Sequence, residues 1–134
     1  MITLSKDMEV GVAKIDSQHK ILIDRINDVT SMGTKSVSKE ETQKTLKLLS
    51  DYVVKHFTDE EAIHIQSKYP KYDFHKNQHQ LFIKELQRIE KEFAENGPSP
   101  KFTLDLSHYV IKWIVGHIKS SDVEFGKYYK TAVN

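Results

Sequence analysis

Three pairs of residues in this chain set donor atoms one helical turn apart or nearly so. His56 is followed four residues later by Glu60, and His75 four residues later by His79. His117 is followed five residues later by Asp122, and His19 stands alone in line with Ile15, Leu22, Ile23 and Ile26. Residues four apart on a helix point the same way, separated by about 6 Å of rise, so each i, i+4 pair can aim two ligand atoms at one point. The five-residue step from His117 to Asp122 does not suit a straight helix. It predicts that the helix ends near Lys119–Ser121 and that the chain then turns inward.

Two carboxylates and five imidazoles on inward faces need a cation, because an unpaired buried carboxylate is very costly. Oxygen and imidazole donors without thiolate suit iron, manganese, zinc or copper. Seven donors exceed one tetrahedral site and match two octahedral ions sharing bridges. If Glu60, Asp122 and a hydroxide each bridge both ions, five imidazoles and three bridges supply eleven bonds where twelve are needed. One position then stays open, on one ion only, in an apolar pocket that suits a diatomic ligand.

The elements that must position these groups are helices. Ile15, Leu22, Ile23, Ile26, Val29 and Met32 share one face of a first segment, with Asp16 placed to cap its start. Ser38 and Glu41 form a capping box ahead of a second segment through Leu46, Leu49, Val53, Phe57 and Ile63. A third runs from about Asp73 through Phe74, Phe82, Leu86, Ile89 and Phe93. A fourth follows Pro100 through Leu106, Val110, Trp113, Ile114 and Ile118. A short fifth piece is expected from Ser121, capped by Ser121 and Glu124. Polar or breaker residues separate the four long segments: Gly33 with Thr34 to Ser38, Tyr69-Pro70, and Asn96-Gly97-Pro98-Ser99-Pro100. Strand alternation is nowhere sustained. The expected fold is all-α: an up-down-up-down four-helix bundle with an N-terminal arm of about 15 residues and a short C-terminal helix, forming one domain over residues 1–134.

Composition narrows the function. Twenty basic and nineteen acidic residues leave a net charge of +1, so nothing argues for nucleic acid as a partner. With no cysteine, disulfides, thiolate metal sites and thiol catalysis are excluded. No signal peptide and no bilayer-spanning stretch is read, so a soluble cytoplasmic protein without a membrane partner is expected. Apolar residues make up only 38% of the 134, against about 45–50% in typical globular chains. The hydrocarbon core must be lean.

The ordered set Val10-Gly11-Val12 with Ile15-Asp16-Ser17-Gln18-His19, His56-Phe57-Thr58-Asp59-Glu60-Glu61, Tyr69-Pro70, His75-Lys76-Asn77-Gln78-His79 and Trp113-Ile114-Val115-Gly116-His117-Ile118 with Asp122 resembles the hemerythrin family, in particular its bacterial members. The resemblance covers nearly the whole chain. It implies two iron ions in a non-haem, oxo- or hydroxo-bridged di-iron centre that binds dioxygen reversibly, for carriage, storage or sensing. By that resemblance His75, His79 and His117 hold one iron, His19 and His56 the other, and Glu60 and Asp122 bridge. The second iron carries the open position, and Leu22, Phe57, Trp113, Ile114 and Ile118 wall the oxygen pocket. Oxygen transport rather than enzymatic turnover is expected, with peroxide or nitric oxide chemistry at the same centre as the alternative; a separate protein partner stays open.

Two positions depart from the family pattern. Leu4 stands where bacterial members often carry Trp, which implies a looser arm or a wider solvent path. His64 stands where Met is common. It is read as an exposed imidazole or one beside the ligands, not as a ligand. His108 lies outside the motif and is read as a surface or partly buried side chain.

Overall fold

The computed structural model describes residues 2–32, 38–97 and 99–133. The polar gap at Gly33 to Val37 and the breaker Pro98 lie outside the described residues. An N-terminal arm carries a single 3-10 turn, Lys6–Met8, and five helices follow: α1 Ala13–Ser31, α2 Lys39–Gln66, α3 Tyr72–Asn96, α4 Pro100–His117 and α5 Val123–Val133. Among the described residues no strand is present, and no helix is long and apolar enough to cross a membrane.

Sequence accounts for most of the helix ends. Ser38 Oγ accepts from Glu41 N–H at 3.1 Å, and Ser99 Oγ from Phe102 N–H at 3.0 Å, with Pro100 as the first helical residue. Each cap satisfies one of the backbone donors that a helix start leaves open. Gly97, at φ 77°, ends α3 and returns its N–H to Phe93 O at 2.8 Å, a left-handed position where a Cβ is disfavoured.

The start of α1 differs from expectation. The helix begins three residues before Asp16, at Ala13, after Val12. Asp16 accepts from the N–H groups of Val10 at 2.8 Å and Gly11 at 3.0 Å. Its carboxylate therefore ties the arm to the helix instead of capping the helix itself.

The end of α4 also differs. The chain does not break near Lys119–Ser121. Residues Ile118–Asp122 form a π-helical turn that runs straight into α5, with Val123 N–H bonded to Ile118 O, five residues back. In such a turn each residue lies over the one five positions on, a local widening frequent at functional sites. The five-residue step from His117 to Asp122 is thus met by widening the helix, not by ending it. Ser121 is not a helix cap; its hydroxyl donates to Gln78 Oε1 at 2.9 Å.

The bundle is up-down-up-down. His19 lies near the start of α1, His56 and Glu60 near the end of α2, His75 and His79 near the start of α3, and His117 at the end of α4. These side chains meet, so alternate helices run in opposite directions. One apolar cluster fills the bundle, through Leu22, Ile26, Leu49, Val53, Phe82, Leu86, Val110 and Ile114. A second joins the arm, the start of α1, the α2–α3 link and α5 through Val10, Val12, Ile15, Tyr69 and Phe125.

Candidate metal centre

All seven predicted donors are buried and converge at one end of the bundle. Ligand atoms of Glu60, His75, His79, His117 and Asp122 lie within 4.8 Å of one another, and so do those of His19, His56, Glu60 and Asp122. Both carboxylates belong to both groups. The result is two adjacent clusters, one with three histidines of its own and one with two.

Glu60 Oε1 lies 2.9 Å from His75 Nε2 and 3.2 Å from His79 Nε2; Glu60 Oε2 lies 3.7 Å from His56 Nε2. Asp122 Oδ1 is 2.9 Å from His75 Nε2 and 3.1 Å from His117 Nε2, and Oδ2 is 3.0 Å from His19 Nε2. Each carboxylate thus turns one oxygen toward each cluster.

These contacts are not a closed hydrogen-bond network. His117 Nε2 faces His75 Nε2 at 3.0 Å and His79 Nε2 at 3.1 Å, so three ring nitrogens crowd together with at most one proton between any two of them. Both oxygens of Glu60, both nitrogens of His19 and Asp122 Oδ1 are buried with no aligned hydrogen-bond partner. Orphaned polar atoms of this kind are rare in folded proteins and call for an ion. Donor separations near 3 Å also match neighbouring corners of an octahedron with metal–ligand bonds of about 2.1 Å. The residues fit a cation.

A second layer sets the tautomers. His79 Nδ1 pairs with Glu61 Oε2 at 2.8 Å, and His56 Nδ1 with Gln18 Oε1 at 2.8 Å. A ring that donates through Nδ1 leaves its Nε2 lone pair aimed at the cluster. The Gln18 amide is held in turn by its own donation to Asp59 Oδ2 at 2.7 Å, and Asp59 is paired with Lys55 at 3.1 Å.

Without a cation, protons do part of its work. Burial lowers His75, but the carboxylates of Asp122 and Glu60 beside it overcome this and push it up to about 9. His19 and His79 are raised in the same way, burial being outweighed by Asp122 for His19 and by Glu60 and Glu61 for His79. Burial and the charge of Asp122 raise Glu60, but the imidazoles of His75 and His79 beside it override both and hold it down to about 2. Asp122 is held well below the carboxylate range, with the charge of His117 foremost among the groups opposing burial. Burial pushes His56 down to about 4.

Of the expected pocket walls, Leu22, Phe57, Ile114 and Ile118 are buried, and Trp113 is half-buried. Phe57 stacks flat on His79, centroids 3.7 Å apart, and Trp113 stacks on His117 at 4.5 Å. Both rings therefore press on the three-histidine cluster, while Phe57 also comes within 5.9 Å of the His56 ring.

His64 is fully buried, which removes the exposed reading of that residue. His108 is exposed on α4. Leu4 is 37% exposed. Sequence reasoning assigned no role to Gln18 or Glu61. The signal available was weak: each adjoins a donor, Gln18 before His19 and Glu61 after Glu60.

A family model described as the hemerythrin HHE cation binding domain matches residues 10–128. The chain is 29% identical to a bacteriohemerythrin of Methylococcus capsulatus over 129 residues, covering 94% of each. It is 30% identical to a myohemerythrin of Theromyzon tessulatum over 117 residues, covering 87% of this chain and 84% of that protein. Its fold is similar to the crystal structure of a wild-type hemerythrin, with a TM-score of 0.84, 26% identity, and coverage of 96% and 97% of the two chains.

Proposed function

The chain belongs to the hemerythrin family, and on that premise we propose that it holds two iron ions and binds dioxygen reversibly between them and the apolar interior. His75, His79 and His117 hold one ion, His19 and His56 the other, and Glu60 and Asp122 are shared. The observation that carries this reading is the sharing itself: two donor clusters use the same two carboxylates, with three private histidines on one side and two on the other. The side with one histidine fewer is where an exogenous ligand finds room.

When bound, the iron pair supplies the electrons that let dioxygen attach and leave again. The chain does the rest. Two carboxylates offset part of the cations' charge, so that the pair sits in a low-dielectric interior. Gln18 and Glu61 keep the Nδ1 protons of His56 and His79 outside the site, leaving the inward nitrogens free to bind. Leu22, Phe57, Ile114 and Ile118 exclude water, which would otherwise deliver protons and release reduced oxygen. We assign the Phe57 ring a place in both the pocket wall and the support of His79.

The test is an oxygenation cycle. Protein loaded anaerobically with Fe(II) should develop a visible charge-transfer band in air and lose it when oxygen is removed, over repeated cycles. A single irreversible oxidation accompanied by peroxide release would contradict reversible binding and move the reading to an enzyme.

A further inference from the structure

His64 is a buried imidazole that belongs to neither donor cluster. It stands one turn beyond Glu60 on α2. Neither of its ring nitrogens has a hydrogen-bond partner. Aromatic rings hold it: Phe125 at 4.2 Å, His75 at 4.4 Å and Tyr69 at 5.2 Å between centroids. Its Nε2 lies 3.8 Å from Glu60 Oε1, the oxygen that His75 and His79 also approach.

Packing alone does not account for a histidine here. An apolar side chain of similar size fills a ring-lined space without leaving two polar atoms unpaired, and unpaired buried polar groups are destabilising. The gap to Glu60 exceeds a hydrogen bond by less than 1 Å.

We propose that His64 is a positioning residue for Glu60: its Nε2–H donates to Glu60 Oε1 and fixes the orientation of the carboxylate that the two clusters share. This rests on the reading of Glu60 as a shared ligand. A neutral imidazole carries one N–H and one lone pair, so donation through Nε2 requires a bare Nδ1. A carboxylate oxygen has lone pairs enough to take one cation and one hydrogen bond. Partners that orient a metal ligand in this way are worth 10–100-fold in metal affinity. A role as a further ligand demands the opposite tautomer, with Nε2 bare and Nδ1 protonated.

Two measurements on the full chain test this. In the Zn(II)-loaded wild-type protein, nitrogen-15 NMR of the histidine rings should show His64 protonated at Nε2 and bare at Nδ1; the reverse tautomer overturns the proposal. Competition with a chelator should show His64→Leu binding Zn(II) about 10–100-fold more weakly than wild type, with His64→Gln, whose amide N–H reaches the same oxygen, restoring most of the loss. Wild-type affinity in His64→Leu, or equal loss in both variants, overturns it as well. The tautomer is read without any substitution, so a variant that fails to fold does not spoil the test. Glu60→Ala separates the two readings. If it still takes up Zn(II) with wild-type affinity and stoichiometry, the shared-ligand reading falls and takes the role of His64 with it. If Glu60→Ala loses metal while His64→Leu does not, only the inference about His64 falls.

Discussion

At the scale of single residues, the centre is a set of proton sites that a cation displaces, and this gives the metal-free and loaded proteins opposite pH dependences. In the metal-free fold His75 is raised to about 9 from an ordinary 6.5. Its contribution is fully present below 6.5 and is lost as pH rises through 9. His56 and His64 are both held down to about 4, chiefly by burial, so their contribution is present above 6.5 and is lost as pH falls through 4. The stability of the metal-free protein should therefore peak near pH 6.5 and decline toward pH 9. Metal binding expels the protons, so affinity should climb over the same interval. Thermal melts of both forms at pH 5, 6.5 and 9 check this, and a metal-free protein that gains stability from 6.5 to 9 would contradict it. The seven donors were legible in the sequence because side-chain type and a four-residue step need only a helix to acquire meaning. Gln18 and Glu61 were not, because what they touch depends on how α1 and α3 lie against α2; for His64 the sequence left an exposed place and one beside the ligands both open, and spacing along one helix does not choose between them.

At the scale of elements, the π-helical turn carries the argument furthest. It keeps α4 and α5 continuous while bringing Asp122 over His117, Oδ1 to Nε2 at 3.1 Å. Adding one residue to the turn makes the step from His117 to Asp122 six residues and rotates everything beyond it by about 100°. Insertion of an alanine after Ser120, whose hydroxyl bonds locally to Gly116 O at 2.6 Å, should therefore swing Asp122 out of the centre. Circular dichroism should show helix content retained, while chelator competition shows the metal lost from both clusters, since Asp122 serves both. Retention of two metals by the insertion variant would contradict the geometry. Helix number, the cap at Ser38 and the break around Gly97 to Pro100 were readable, since each is a local preference of the backbone. The π turn was not. No side chain favours it locally, and its cost is offset by contacts that form only once the bundle has closed. The spacing of His117 and Asp122 was the visible trace, and a break in the helix explained it equally well.

At the scale of the molecule, the centre is closed from one end by the arm and α5, and a single glycine permits that closure. A Cβ at Gly126 would lie 2.0 Å from Val10 O, and that backbone is fastened by the bond from Val10 N–H to Asp16. Gly126→Ala should force the arm away, cost about 1–3 kcal/mol of stability, and speed the release of metal to a chelator, while leaving the seven donors in place. Unchanged release would show that the arm does not guard the centre. The lean apolar composition has its reason here too. Five imidazoles and two carboxylates occupy interior volume that hydrocarbon fills in other bundles, so cohesion at that end of the molecule comes from the cation, and binding energy becomes folding energy.

The most direct measurement is an anaerobic titration of the metal-free protein with Fe(II), with thermal stability followed at each addition. Two clusters joined by Glu60 and Asp122 predict uptake that stops at two ions per chain, with the melting temperature rising up to that point. Saturation at one ion, or no uptake, would contradict the account.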